Sequence, residues 1–582
     1  MKAKILSLII LLLPIFGYAD DLFRIDINDQ SQFNNLNRLI SKSIGEDKKN
    51  IIVTIHSGTY YYKENHLAFV NIDRPDVSIR IKGDDAILIS SGNDYISGDQ
   101  YKEGFSPASA FVDLEEMKAY DFFDDCRFAD KMVEVVDKEK GLCRIPYSRA
   151  RNTEEEECCN MFVIIPQWYK SSTYKVTKID NGYIYFLAEK LEYLKKRGRE
   201  EYTVNYDYLF GGQKTRFMLC NPTDPSRHIQ ITNGIFKSKS GKIHECEICR
   251  FLRAENASLK DLRIEGLHFL GNKDNNNYLM SFTKVKTEDV TISNCTFNGI
   301  HSRIVFAHYT PNLTFRNNHV SNCYHNGVES TNSCPDTKII NNTFRNCGRS
   351  MNQVICVNCK GTNYHIGNNS FINFSYAAIG VGVWYRSNKQ FTSSGIVEYN
   401  HIYYEGDYLS KPERYTLMDS GAIYLWTQND KAIIRYNYIH DYIGMAENRG
   451  IFADDGAYNF EIYGNIIINM KDTSIDSRNC QTYYPEGNQN IIIRNNIVDC
   501  PIKFEGSDKQ DNNCIRSGNI LLYKKGTSIP VNIYSNLYTE KEDSKLQCID
   551  WDEKGIIVNK SSYKKLQSRP YFKNIEQYIR IK

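Results

Sequence analysis

IIRYNYIHDYIGMAENRGIFADDGAYNFEIYGNIIINM, residues 433–470, says one short word twice. Each copy sets apolar residues around an asparagine, Asn437 in YNYI and Asn465 in GNII, 28 residues apart. Working outward, the word recurs as SNCTF, RNNHV, NNTF, GNNSF, YNHI and NNIV. Aligned two residues before the apolar position, the series is Cys295, Asn318, Asn342, Asn369, Asn400, Asn437, Asn465 and Asn496. The intervals are 23, 24, 27, 31, 37, 28 and 31 residues. That period belongs to a solenoid whose coils bury their apolar faces by stacking. Asparagine suits a corner because its amide satisfies bent backbone and tolerates left-handed dihedrals, and stacked amides can form a ladder. Runs such as VTISNCTF have strand composition, and the LxxLxLxxN word of leucine-rich repeats is missing. The expected fold is all-β, a right-handed parallel β-helix.

The pattern divides the chain. Residues 1–19, MKAKILSLIILLLPIFGYA, carry two lysines, a short apolar run and a small-residue end. They read as a cleaved secretory peptide too short to span a bilayer, implying a periplasmic or secreted product. Residues 20–99 read as a cap and first coils: Phe33, Leu36 and Ile40 share one helical face before the strand-like IIVTIHSGTYYY and VSIRIKGDDAILISS. Between 100 and 225 the period vanishes, and hairpin-like segments with KEKG and DNG turns predict an inserted β-barrel-like region. The coil resumes over 226–540, and 541–582 reads as a polar, irregular cap or tail.

With 72 Lys plus Arg against 70 Asp plus Glu, the net charge of +2 gives no general attraction to nucleic acid or anionic membrane. No second apolar segment suggests stable membrane insertion, and a lateral face leaves monomer and homodimer both open. The 17 cysteines are scattered rather than framework-like. Cys246/Cys249 and Cys356/Cys359 are CxxC pairs, weak zinc spacing; Cys295, Cys323, Cys347 and Cys500 read as small interior residues. His325 and His440 read as hydrogen-bonded coil residues, so no metal or cofactor is expected.

Chemistry concentrates where coils are longest. The 37-residue interval holds DYLSKPERYTLMDSGAIYLWTQND and leads into GIFADDG. Enlarged loops beside regular strands are where solenoids build a binding face. GVGVWY (380–385), GAIYLW (421–426) and GIFADD (450–455) share a register by sequence phase. Adjacent rungs lie roughly 4.8 Å apart, compatible with the gap of about 6.5–9.5 Å that inverting glycosidases leave for water. Asp454 and Asp455 would face opposite sides of a regular strand, so joint action needs a kink, which Gly456 permits. DDG is also an ordinary turn. Asp419 and the aromatics Trp384, Tyr385 and Trp426 shift the balance toward a sugar site, with Asp430 a competing third carboxylate. Glu329, Glu447, Arg449, Asp476, Arg478 and Glu505 are further polar candidates on that wall.

IGVGVWY, MDSGAIYLWTQND and NRGIFADDGAYNF, with GTYYYKENHLAF and QWYKSSTYKVTKI, resemble the bacterial α-1,3-galactosidases of glycoside hydrolase family 110. The resemblance spans most of the chain after residue 19. It implies a secreted, exo-acting inverting enzyme on a parallel β-helix with β-barrel additions. Such enzymes remove terminal α-1,3-linked galactose, including that of blood group B glycans, without cofactor. Carried over, the catalytic aspartates are Asp454, Asp455 and Asp419, with Asp430 contesting the third place. A β-helix polysaccharide lyase, with Arg449 and Arg478 neutralising a uronate, and a noncatalytic glycan-binding protein are the alternatives.

Overall fold

In a computed structural model of the chain, the described residues are 22–62, 65–90, 127–128, 133–147, 162–166, 171–188, 191–196, 199–204, 216–220, 250–270, 278–300, 302–323, 325–331, 333–348, 354–383, 393–405, 420–442, 449–470, 473–478, 488–505, 515–524, 545–569 and 572–582. The signal-like stretch lies outside them. Among the described residues, strands climb in parallel from coil to coil in a 35-stranded sheet system whose C-terminal end adds one antiparallel pair, Lys545–Asp552 with Gly555–Val558. This is a parallel β-helix.

The sheet begins before the segment that the sequence marks. Leu22–Ile27 pairs in parallel with Asn50–Ile55. Between them run the helices Gln30–Asn34, its N-terminus capped by Asp29, and Leu36–Gly45. Phe33, Leu36 and Ile40, the expected helical face, are all fully buried in the core of the first coils. The coil then survives its interruption. Leu67–Val70 pairs with Leu252–Glu255, and Asp73–Ser90 with Ser258–Leu270, so a strand near residue 80 continues onto one near 263.

Inside, identical positions stack. Phe297, Phe315, Phe344 and Phe371 are successive ring neighbours at 4.9–6.2 Å between centroids. Phe371 continues in register through Ile402, Ile439, Ile467, Val498 and Leu521. The cysteines share this interior: Cys295, Cys323, Cys347, Cys356 and Cys359 are buried, and each is a free thiol. Burial pushes the Cys295 thiol up to about 12. Cys246 and Cys249 lie outside the described residues.

The asparagine alignment is a physical ladder. The Oδ1 of Asn318, Asn342, Asn369, Asn400, Asn437, Asn465 and Asn496 each accepts the backbone N–H of the aligned residue one coil before, at 2.9–3.1 Å. Asn519 extends the series by one coil, accepting from Asn496. One part of the reading needs correction. The left-handed residue is not the ladder asparagine but the one before it: Asn317, Asn341, Asn368, Tyr399, Tyr436, Gly464, Asn495 and Gly518. The ladder amide is spent on hydrogen bonds across coils, while its predecessor makes the bend. A second row, Asn298, Asn322, Asn346 and Asn373, also links side chain to side chain at 3.0–3.1 Å.

The insertion contains an antiparallel seven-stranded sheet: Arg127–Phe128, Arg216–Cys220, Phe162–Pro166, Ser171–Asp180, Tyr183–Leu187, Leu142–Pro146 and Glu134–Asp137, in spatial order. Its turns follow the expected chemistry, with Asn181 and Gly182 at positive φ and Asp137 accepting from the amides of Glu139 and Lys140. Its end strands are not paired with each other among the described residues.

The C-terminal reading as irregular is corrected. Lys545–Asp552 continues the coil from Ile520–Lys524, and the helix Lys560–Gln567 and the short helix Phe572–Ile575 follow. Leu566, Phe572, Ile575 and Ile579 cover Tyr438, Ile466, Ile468, Ile497 and Ile520 on the outside of the coil wall. The reason is in the repeats: Ile466-Ile467-Ile468 is apolar on both faces, so only the middle residue reaches the interior and the other two need a cover. No helix among the described residues is long and apolar enough to cross a membrane.

Candidate functional site

The three motif strands are consecutive rungs of one wall. Val381 pairs with Leu425, which pairs with Ala453. These three point into the core, so the alternate residues Gly380, Tyr424 and Phe452 face outward. The outward row extends both ways in register, from Glu329 and Asn358 through Gly380, Tyr424 and Phe452 to Asp476 and Lys503.

At the end of this wall the strands stop matching. Leu425 pairs with Ala453, but Thr427 pairs with Tyr458, so residues 454–457 bulge against a single partner. The kink asked of Gly456 is there: its φ is +78°, where a side chain is strained. In the neighbouring strand residues 428–431, including Asp430, bulge in turn between Thr427 and Ala432.

Asp454 is 9% exposed, and the Tyr424 hydroxyl donates to its Oδ2 at 2.6 Å. Its Oδ1 has no partner among the described residues. Tyr424 is held edge-on by Phe452, 5.0 Å away, and lies 4.8 Å from Trp426 and 5.6 Å from Tyr376. These rings form an apolar cluster separate from the core. Gly380 makes room for it, since a Cβ there would sit 3.0 Å from the Trp426 ring. Trp426 is therefore buried in the wall and braces Tyr424.

Arg449 lies 4.0 Å over the Phe452 ring, and its Nε donates to Asp476 Oδ2 at 2.6 Å. Both partners are at most 5% exposed. Such a buried pair contributes little net stability but is costly to break from one side, so it fixes geometry. Asn488 adds a brace, donating to the Ala453 carbonyl at 3.2 Å and to Ser477 Oγ at 2.8 Å.

Of the sequence candidates, Asp454, Trp426, Arg449 and Asp476 come together within adjacent rungs. Glu329 shares the wall but stands four rungs from Phe452, roughly 19 Å at about 4.8 Å per rung; it pairs with Arg303 at 3.4 Å. Asp419, Trp384, Tyr385 and Glu447 lie outside the described residues. For Asp455, Asp430, Arg478 and Glu505 the backbone is described and the side chain is not; Arg478 and Glu505 are strand partners. Sequence reasoning missed Tyr424, Phe452, Tyr376 and Asn488. Tyr424 was findable, because alternation from Ile423 and Leu425 turns it outward beside the aspartates. Asn488 had no such signal.

No three metal-ligating side chains converge among the described residues. His440 is hydrogen-bonded as expected, to Asp441 at 2.6 Å and to His401 at 2.7 Å. His325 corrects the reading: its Nε2 is buried with no hydrogen-bond partner among the described residues.

No family model and no curated protein matches the chain. Two solved structures are distantly similar. A complex of XylC with xylose shares 10% identity over 86% of this chain and 81% of that one, with a TM-score of 0.39. The Gp54 tailspike of Acinetobacter baumannii bacteriophage AP22, with A. baumannii capsular saccharide, shares 9% over 88% and 76%, with a TM-score of 0.19. Likeness this distant carries no argument about what this chain does.

Proposed function

We propose that the chain is an exo-acting inverting α-1,3-galactosidase, a secreted glycoside hydrolase of the family 110 type. The observation that carries this is Asp454: a largely buried carboxylate on the outer wall, one oxygen held by Tyr424 and the other without a partner among the described residues. The resemblance adds its weight here, since its three central motifs are neighbouring rungs around that carboxylate.

Glycosidic hydrolysis by inversion needs one carboxylic acid to protonate the leaving oxygen and one carboxylate to activate water on the opposite face of the sugar. Asp454 takes one of these tasks. Asp455, its neighbour in the bulge, and Asp419, five residues before Tyr424 in the sequence, are the partners that the resemblance implies, with Asp430 the alternative to Asp419. Tyr424 orients Asp454, and the Arg449–Asp476 pair holds Phe452 beneath it. Galactose binds against this wall. Of the two arginines that a lyase would use to neutralise a uronate, Arg449 is already engaged by Asp476 at 2.6 Å.

The test is galactose release from linear α-1,3-galactobiose and from a fucosylated blood group B oligosaccharide, with chelator present. Release from either supports the reading, and the relative rates give the branch preference. No release from both, with retained affinity for the glycans, moves the chain to the glycan-binding class.

A further inference from the structure

The outward row does not end at the proposed catalytic rungs. Toward the N-terminus it passes Asn358 and Glu329 to Phe306. Phe306 stacks with Tyr278, centroids 4.1 Å apart and planes within 21°. Arg303 donates to the Tyr278 hydroxyl at 2.8 Å and lies 3.4 Å from Glu329. Tyr278 and Phe306 are half-buried. Aromatic carbon with fixed donors and acceptors at its edge is the lining of a small-molecule site.

Two buried polar atoms at this place lack partners among the described residues. Asn358 is 6% exposed, and its Oδ1 accepts no hydrogen bond among the described residues. His325 Nε2 is in the same state. Burial, and the Arg303 charge nearby, hold the His325 pKa down to about 4, so it is neutral at pH 7 and supplies both a donor and an acceptor. Polar atoms left unmatched in a buried wall cost free energy, and among the described residues nothing offsets it for these two. Nothing in the proposed chemistry around Asp454 uses them, since even Asn358 is three rungs from Phe452.

We infer that Tyr278, Arg303, Phe306, His325, Glu329 and Asn358 form a distal subsite for an uncharged sugar unit of the same glycan, whose chain runs along the wall from the Asp454 end. The arrangement fits a neutral hydroxyl-rich ligand: Arg303 and Glu329 offset each other's charge, leaving hydrogen bonds rather than net attraction as the means of recognition. The inference rests on the galactosidase reading for its polarity, with the terminal galactose at Asp454. The nearest member of the subsite, Asn358, is three rungs or roughly 14 Å from Phe452, too far for one disaccharide to fill both ends.

Calorimetry on the full chain carrying Asp454→Asn tests it, with α-1,3-galactobiose and a linear pentasaccharide of the same terminal linkage as probes. The pentasaccharide should bind more tightly than the disaccharide. Phe306→Ala or Asn358→Ala should weaken only the pentasaccharide, by about ten-fold. Phe306→Tyr, which keeps a platform, should retain affinity, and circular dichroism should match for all. Equal affinity for the two glycans, or unchanged pentasaccharide binding in both alanine variants, overturns the subsite. Because binding is read without turnover, a chain that hydrolyses neither glycan but loses pentasaccharide binding on Phe306→Ala fails the activity reading and keeps this one.

Discussion

Asp454 answers a local conflict between the period of a strand and the placement of two adjacent carboxylates. The bulge resolves it, and Tyr424 then fixes which way Asp454 looks. Tyr424→Phe removes that hydroxyl and keeps the ring among Phe452, Trp426 and Tyr376. We expect kcat to fall about 10- to 100-fold with KM within a factor of about two, as for a positioning group; steady-state kinetics on α-1,3-galactobiose measure both. Loss confined to KM would place Tyr424 in substrate binding instead. Asp499 is a structural counterpart. Its carboxyl is enclosed at a corner, accepts the Asn469 amide at 2.5 Å, and is raised by burial to about 7. Unfolded, it loses its proton near 3.8. Between those values the folded chain holds the extra proton, so this group's stabilisation is full below the lower value and is lost as pH rises through the upper one. Asp499→Asn should raise Tm at pH 8 and leave it nearly unchanged at pH 3. An equal shift at both would contradict the assignment.

At the scale of the element, the coil is held by asparagines whose value depends on burial. Asn437 is 1% exposed, and its Oδ1 accepts both the amide and the side-chain Nδ2 of Asn400, at 3.1 and 2.9 Å. Asn437→Ala strands two buried donors and should cost about 3 kcal/mol. Asn322→Ala, in the half-buried second ladder, should cost about 1 kcal/mol. Urea unfolding of the two variants gives the comparison, and equal losses would refute the role of burial. This ladder was legible because a corner amide must recur once per coil, so its spacing survives changes in every loop. The bend one residue earlier was harder to read. Asn, Tyr and Gly all serve there, and tyrosine at positive φ has no signature in composition. The wall around Asp454 was legible in register but not in contact. Alternation turns Tyr424, Trp426 and Phe452 outward, while Asn488, 34 residues beyond Asp454, reaches Ala453 only because the next coil folds back.

For the whole molecule, the C-terminal segment explains why an apolar outer wall is tolerated. Deleting residues 545–582 would uncover Tyr438, Ile466, Ile468, Ile497 and Ile520 together. A continuous apolar patch of that kind drives association. The truncated chain should lose soluble yield and bind a hydrophobic dye, whereas a stable, dye-silent truncation would show that the cover is dispensable. Its sequence concealed this role because the apolar residues Leu566, Phe572, Ile575 and Ile579 are scattered among lysines and polar residues in three short elements. The central claim is that the Asp454 bulge makes this coil wall an inverting galactosidase. Its most direct test is time-resolved NMR of α-1,3-galactobiose incubated with the native chain and with Asp454→Asn. The account predicts β-galactose as the first product of the native chain, with the variant slower by about 10²–10⁴-fold. α-Galactose appearing first, or equal rates from the two chains, would contradict it.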